Sequence, residues 1–447
     1  MWRRNLLVLG ACLALVSGCG DADTDTDTDA VQAGPADDVG AAPSADAAGA
    51  EDTIVASDAG PSSAPDDTVA SDELASAPGD PGALGDYAVG HLEVTIQDPN
   101  DPERMLPTQV WYPAESHDAD ALTTYVIGAM GPFELEYPSA HAQRNVAAAE
   151  GTFPFVIFSH GYGGIANQSL DLCERLASHG FVVASPAHTG NTAEDDFNGT
   201  SVPRSEAAAD RIHDVTTLID AFTSATSASE LLAGHVDASK VGVTGHSFGG
   251  YTSLAAVTGH ATLGLPADPR VSAIAPICPD SSEFIDAELS DVTVPVLFVG
   301  GTLDTATPID PQITRAYDLM SSPVRIRVDV MGATHTHFAN ICTLGAALTE
   351  MGLARDTWEE IGAGALLEIH EETCGEDAFP IDEAIRIQTH YVVAFFRTHL
   401  LGESEWEGLL SPEYAEACEP SVEFYSEGLS ADAQAPTCLG REDEEVR

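Results

Sequence analysis

Positive charge is what this sequence has least of. Lysine occurs once, at Lys240, and Lys and Arg together number 17 against 72 Asp and Glu, a formal net charge of −55 over 447 residues. A surface of that sign repels phosphate backbones and anionic headgroups, which excludes nucleic acid and anionic membrane surfaces as partners. Long apolar runs are also missing. The longest at the N-terminus, Leu6–Val16, falls well short of the roughly 20 residues a membrane helix needs. With no heptads and no glycine-every-third repeat, coiled-coil and collagen-like architectures are excluded too. Aromatic residues are sparse at 6%, yet apolar residues reach 44%, enough for a core.

What is present begins with an address. Arg3 and Arg4, the short apolar run and then Ser17-Gly18-Cys19 describe an export signal over residues 1–18. Val16-Ser17-Gly18-Cys19 resembles the bacterial lipoprotein box, which makes Cys19 the expected lipidation site after cleavage. The expected location is outside the cytoplasm, tethered by lipid to a bacterial membrane, facing the periplasm or the cell surface. Residues 19–85 then read as linker. From Gly20 to Gly85 there is no Lys, Arg or aromatic residue, but many Asp, Ala, Pro, Ser and Gly. Such a stretch cannot bury enough apolar surface to offset chain entropy. As a coil it reaches roughly 45 Å root-mean-square. The alternation Asp21 to Asp29 lacks the glycine bend and distal Glu of a calcium loop, and reads as a solvated charge run.

Residues 86–402 read as one alternating domain. Eight short β-rich runs are expected: His91–Gln97, Met105–Tyr112, Phe155–Phe158, Phe181–Ala184, Val241–Thr244, Val271–Ile277, Val294–Val299 and Val324–Val330. Helical patterns at Gln168–Ser178, Ser205–Thr223, Phe248–Gly259 and Pro311–Ser321 lie between them. Buried strands alternating with helices mean a mostly parallel eight-stranded sheet with helices on both faces. Ligands bind beyond the carboxyl ends of such strands, so the residues after each strand matter most.

After the fifth run comes Gly245-His246-Ser247-Phe248-Gly249-Gly250, a G-x-S-x-G pattern between strand and helix. That setting presents a serine hydroxyl on a tight turn at a helix N-terminus, where developing negative charge is favoured. A serine needs a base and an orienting acid to become a nucleophile. Asp304 follows the seventh run and comes after the serine in chain order; Asp280, in Cys278-Pro-Asp-Ser, is its rival. His335 and His337 both follow the eighth run, and chain order alone leaves the base ambiguous between them. No H-E-x-x-H pattern or third ligand accompanies the two histidines, so no metal and no cofactor are expected.

The resemblance to a known family is carried by several stretches together. They are Leu106–Pro113, Phe158–Gly164, Leu176–Pro186, His188–Thr192, the serine turn and Val393–Phe396. From Leu84 to about Gly402 the chain resembles an α/β-hydrolase. It is most similar to bacterial dienelactone-hydrolase-like esterases, platelet-activating-factor acetylhydrolases and cutinase-type polyester hydrolases. The resemblance implies Ser247, Asp304 and His335 as the catalytic set, since the family's histidine context falls on His335. It implies an oxyanion hole from the N–H groups of Tyr162 and Phe248, with Gly161 and Gly163 letting the loop approach substrate. His160 and His188 read as loop support and His337 as a residue of the pocket or its supporting layer, with His188 and His337 the further candidates for substrate contact. The expected activity is hydrolysis of short or medium acyl esters, phospholipid acetyl groups or polyesters by a monomer. A catalytically silent binding protein and a dienelactone-type lactone hydrolase are the alternatives; the latter branch typically uses Cys where Ser247 stands.

Six cysteines remain once Cys12 leaves with the signal and Cys19 takes lipid, and six allow fifteen full pairings. The resemblance favours Cys342 with Cys374, bracketing a helical insertion (343–373) before the last helix. Cys418 and Cys438 form the second expected pair, in the acidic extension 403–447. Cys173 and Cys278 are expected as buried thiols. The acidity of the body, with its single Lys, resembles proteins of salty habitats, where counterions screen the repulsion.

Overall fold

The computed structural model describes residues 79–116, 119–130, 133–224, 227–350, 352, 354–355, 364–430 and 437–439. The export signal, Cys19 and nearly all of the linker lie outside the described residues. The chain divides into two units, one of them residues 20–76, and every described residue belongs to the other. Among the described residues no helix is long and apolar enough to cross a membrane.

In chain order the elements are β1 (Ala88–Gln97), β2 (Met105–Ala114), β3 (Leu122–Met130), β4 (Phe133–Arg144), β5 (Phe153–Ser159), α1 (Leu170–Ser178), β6 (Val182–Pro186) and α2 (Arg204–Thr223). Then come β7 (Val236–His246), α3 (Phe248–Thr258), β8 (Val271–Ile277), β9 (Val296–Gly301), α4 (Thr314–Leu319) and β10 (Arg325–Val330). The C-terminal part adds α5 (Ile341–Glu350), α6 (Gly364–Cys374), α7 (Ile381–Phe396), α8 (Pro412–Cys418) and β11 (Val422–Glu427). All the strands join one sheet in the order β11-β10-β9-β8-β7-β5-β6-β2-β1-β4-β3. From β6 to β10 every pairing is parallel, and antiparallel strands flank that block on both sides.

The parallel block is buried on both faces because its side chains alternate between two cores. Val156 and Phe158 of β5 pack with Leu172, Leu176 and Val392 to Phe396, on the face of α1 and α7. Phe155 and Ile157 pack with Val215, Leu218 and Leu254, on the face of α2 and α3. Such double burial is why these strands read as continuous apolar runs.

All eight expected strands form, but the sheet has eleven. The extra three lie toward its margins, where one face stays wet and an apolar run is not needed. In β3, buried Thr123 and Tyr125 alternate with exposed Leu122, Thr124 and Val126. β11 alternates half-buried and exposed residues along its whole length. Residues beyond Gly402 thus add a strand antiparallel to β10, with Val328 opposite Phe424. At the other end, residues before Asp86 are tied down: Arg175 Nε donates to Gly82 O (2.8 Å) and Gly85 N–H to Ser178 Oγ (2.9 Å).

Cys342 is bonded to Cys374 and Cys418 to Cys438, while Cys173 and Cys278 are buried thiols. The first bridge closes a loop with a sequence separation of 32 between the start of α5 and the end of α6. Loop-closure entropy for that length corresponds to about 3–4 kcal/mol. The Cys342→Ser/Cys374→Ser double variant should lose most of it in denaturant unfolding; unchanged stability would show that the bridge constrains nothing.

His179 makes a pH prediction. Burial pushes its pKa down to about 4, against the weaker pull of its hydrogen bond to Ala83 O. The folded state therefore resists a proton that the unfolded chain accepts below about pH 6.5. Its contribution is full above that pH and lost as pH falls toward 4, at most about 3 kcal/mol. A His179→Gln variant should lose less melting temperature than the parent between pH 7 and pH 4.5. Equal losses would refute this.

Candidate active site

The end of β7 turns into α3 with no intervening loop, and Ser247 occupies the turn at φ 60° and ψ −118°. A non-glycine residue held there is strained, and the strain persists because its surroundings over-determine it. Ser247 N–H donates to Ile277 O on β8 (2.9 Å). The glycines around it have no room for a side chain. A Cβ on Gly245 would lie 2.4 Å from Ser159 O, and one on Gly249 only 1.8 Å from the same oxygen. Strand, turn and helix are thereby pressed against the end of β5. Phe248 is the first residue of α3, so its N–H belongs to those that a helix start leaves without an intrahelical partner.

The loop after β5 runs beside the serine: a Cβ on Gly161 would come within 3.5 Å of Ser247 Cβ. Tyr162 follows, its ring edge-on to that of Phe248 at 5.5 Å between centroids. Gln168 ties this loop to the turn. Its Oε1 accepts from Gly161 N–H (2.8 Å) and its Nε2 donates to His246 Nδ1 (2.9 Å). His246 in turn donates from Nε2 to His335 O (2.8 Å). Burial and the neighbouring His335 push the pKa of His246 down to about 3, so it stays neutral and keeps this donor–acceptor assignment.

His335 Nδ1 donates to Asp304 Oδ2 (2.7 Å), with both side chains nearly enclosed. The carboxylate is itself fixed. Oδ1 accepts from the N–H groups of Ala306 and Thr307 (2.8 Å each), and Thr307 Oγ1 stands 3.0 Å from Oδ2. Burial pushes the Asp304 carboxyl up, but the bond and charge of His335 and the Thr307 donors outweigh it, leaving the pKa below the usual value. It therefore remains ionised and holds the imidazole in the tautomer whose Nε2 is free to accept a proton. The bonds of His335 run to Asp304, Thr307 and His246; none of those reaches Ser247. Such a contact is often loose in a resting site and tightens with substrate.

The rival residues fall elsewhere. Asp280 pairs with Arg204 (2.6 Å) and caps its own turn through Ser282. His337 is fully buried, accepting at Nδ1 from Thr334 N–H (2.9 Å) and donating from Nε2 to Phe379 O (3.0 Å). His188 is 1% exposed with both ring nitrogens bonded, to Ser159 and Asp214. In this arrangement the ring nitrogens of His188 and His337 are bonded to partners inside the protein. A cavity of about 550 Å³ is lined by His335, by Leu303, Thr305 and Ala306, and by residues of the segment Glu371 to Phe379. His246, Cys278 and His335 bring ligand-type atoms within 4.8 Å of one another. Both nitrogens of His246 are already bonded, and burial pushes the Cys278 thiol up, which suits packing better than metal binding.

Strand order, serine turn and histidine–carboxylate pair define an α/β-hydrolase fold. Residues 133–354 match the model of the PET hydrolase-like family. Cutinase est1 of Thermobifida alba is 30% identical over 185 residues, 41% of this chain and 54% of that protein. The cutinase of Thermobifida fusca (strain YX) is 28% identical over 185 residues, 41% of this chain and 53% of that protein. Bis(hydroxyethyl) terephthalate hydrolase of Streptomyces coelicolor is 26% identical over 216 residues, 48% and 58% of the two chains. The chain thus spans just over half the length of the curated relatives it matches.

Thr307, Gln168 and His246 were not singled out from the sequence. Thr307 sits in the Thr305–Pro308 turn after Asp304, where a side chain capping the carboxylate is a local signal. Gln168 carries none, because its two partners are distant in the chain.

The apposition at Gly249 is testable. Gly249→Ala must displace the Ser159 carbonyl, and should cost more than about 3 kcal/mol of stability by overpacking. A variant of parental melting temperature would mean that the approach is looser than the geometry shows.

Proposed function

We propose that this protein is a serine hydrolase of carboxylic esters, exported and held at a membrane by lipid on Cys19. The observation that carries the reading is the enclosed Asp304–His335 pair, tied through His246 to the strained turn that presents Ser247. In the reaction, His335 Nε2 takes the proton of Ser247 as its oxygen attacks the ester carbonyl. The carbonyl oxygen becomes an oxyanion facing the N–H groups of Tyr162 and Phe248. Collapse expels the alcohol, which leaves with the proton from His335. Water then attacks the acyl-enzyme by the same steps and releases the acid and free Ser247. Every step is an acid–base or acyl transfer, so no cofactor enters the balance. The names of the relatives, cutinases and a terephthalate-ester hydrolase, favour polyester and short diester substrates. A protein tethered through its acidic linker would reach such insoluble substrate from the membrane surface.

The test is hydrolysis of p-nitrophenyl esters from acetate to palmitate and of a polyester film, with and without molar salt. Ser247→Ala should lower kcat by about 10⁶, as in another serine hydrolase. His335→Ala should match it, whereas His337→Ala should retain activity and lose stability. An inactive His337 variant beside an active His335 variant would reverse the base assignment. Silence of the parent on every ester would leave a lactone, amide or binding role.

A further inference from the structure

Behind the glycine-rich loop lies a set of polar residues that the reaction above does not use. Ser159 donates to His188 Nε2 (2.8 Å), and His188 Nδ1 donates to Asp214 Oδ2 (2.7 Å). The three residues are at most 1% exposed, so substrate cannot reach Ser159 and the line is not a second nucleophilic site. Burial holds the His188 pKa well below its usual value, and Asp214 is also paired with Arg104.

Arg211 stands between this line and the loop. Fully buried, its guanidinium donates from Nη1 to Ser159 Oγ (3.1 Å) and His160 O (2.6 Å), and from Nη2 to Gly161 O (2.9 Å). Asn191 Oδ1 accepts from Nε (3.0 Å) and Nη2 (2.7 Å) on its outer side. All four of these partners are neutral oxygens. The contact with Gly161 O has a geometric consequence. A trans peptide holds its C=O and the following N–H in one plane, pointing in opposite directions. Drawing the Gly161 oxygen toward Arg211 therefore turns the N–H of Tyr162 away from Arg211, in the loop that passes Ser247. Gly164 N–H, at 3.1 Å, and His160 Nδ1, at 2.7 Å, hold the same oxygen.

We propose that Arg211 is the positioning residue of the oxyanion hole, fixing the Gly161–Tyr162 peptide so that the Tyr162 N–H faces the developing negative charge. This rests on the assignment of Ser247 and Tyr162 made under the proposed function. The role suits arginine and not lysine, because two carbonyls are taken by two arms of one rigid fork. The fixed positive charge behind the same peptide adds to the field that the oxyanion meets.

The experiment compares the parent, Ser247→Ala, Arg211→Met, Arg211→Lys and Asn191→Ala on p-nitrophenyl butyrate. Binding of a trifluoromethyl ketone, which forms a tetrahedral adduct on the serine, is measured in parallel. Losing one aligned donor lowers kcat by about 10² or more, so Arg211→Met should show that loss with KM within about twofold and a matching loss of ketone affinity. Arg211→Lys should recover little of it. Asn191→Ala keeps the guanidinium but removes its outer anchor, and should show a smaller loss of the same kind even if Arg211→Met does not fold. A folded variant that loses melting temperature but keeps kcat and ketone affinity overturns the proposal, as does a rise in KM alone. Ser247→Ala as active as the parent, or a parent inactive on esters, sinks the ester-hydrolase reading and the proposal with it.

Discussion

The carbonyl oxygen of Ser159 occupies the space that a side chain on Gly245 or Gly249 would need. Much of the site depends on that approach. It brings the end of β5 against the β7–α3 turn, and so places the loop leaving β5 beside the serine leaving β7. The hydroxyl of the same residue faces the other way, into His188 and Arg211. One residue thus joins the strained turn on one side to the buried polar layer on the other. Serine suits the position because a larger side chain would push Arg211 off the loop carbonyls, and an apolar one would leave His188 Nε2 without a donor.

The scarcity of positive charge gains meaning in the structure. Several of the described arginines are held in partly or fully enclosed ion pairs: Arg104 with Asp214, Arg386 with Glu383 and Glu419, Arg327 with Asp329, Arg397 with Glu403. Each buried carboxylate in these pairs would carry a large desolvation penalty alone. With these cations committed inward, few remain to offset the acidic excess at the surface. Its repulsion is long-ranged at low salt and falls off over about 10 Å at 0.1 M. That repulsion opposes the compact state without touching the site, whose charges are enclosed.

How much of this was legible in the sequence follows from how local each signal is. The eight central strands could be read because burial on both faces leaves a continuous apolar run. The strands β3, β4 and β11 could not, since half-exposed strands at a sheet margin look like irregular polar chain. Gly245-His246-Ser247-Phe248-Gly249 was legible because every requirement of the turn falls within five residues, and Asp304 because it closes a strand. His188 and His337 were read as pocket residues since post-strand position is visible and burial is not. Arg211 lies mid-helix, where an arginine ordinarily faces water. Its role arises from carbonyls some fifty residues away in the chain, and no local pattern encodes it.

The insertion can be weighed by the same physical reasoning. A lid must move without disturbing the chemistry it covers, which requires weak ties to the catalytic loops. Here Thr373, beside the Cys342–Cys374 bridge, shares a hydrogen bond with Thr336 (2.5 Å), the residue next to His335. His337, on the same short turn, donates to Phe379 O just past α6. The bridge anchors the end of α6 to α5, which begins three residues after that turn ends. Swinging α6 as a rigid cover would pull on both sides of His335 at once and misalign its bond to Asp304. These ties couple the end of the insertion to the histidine loop, beside the cavity that His335 and residues of the segment Glu371 to Phe379 line.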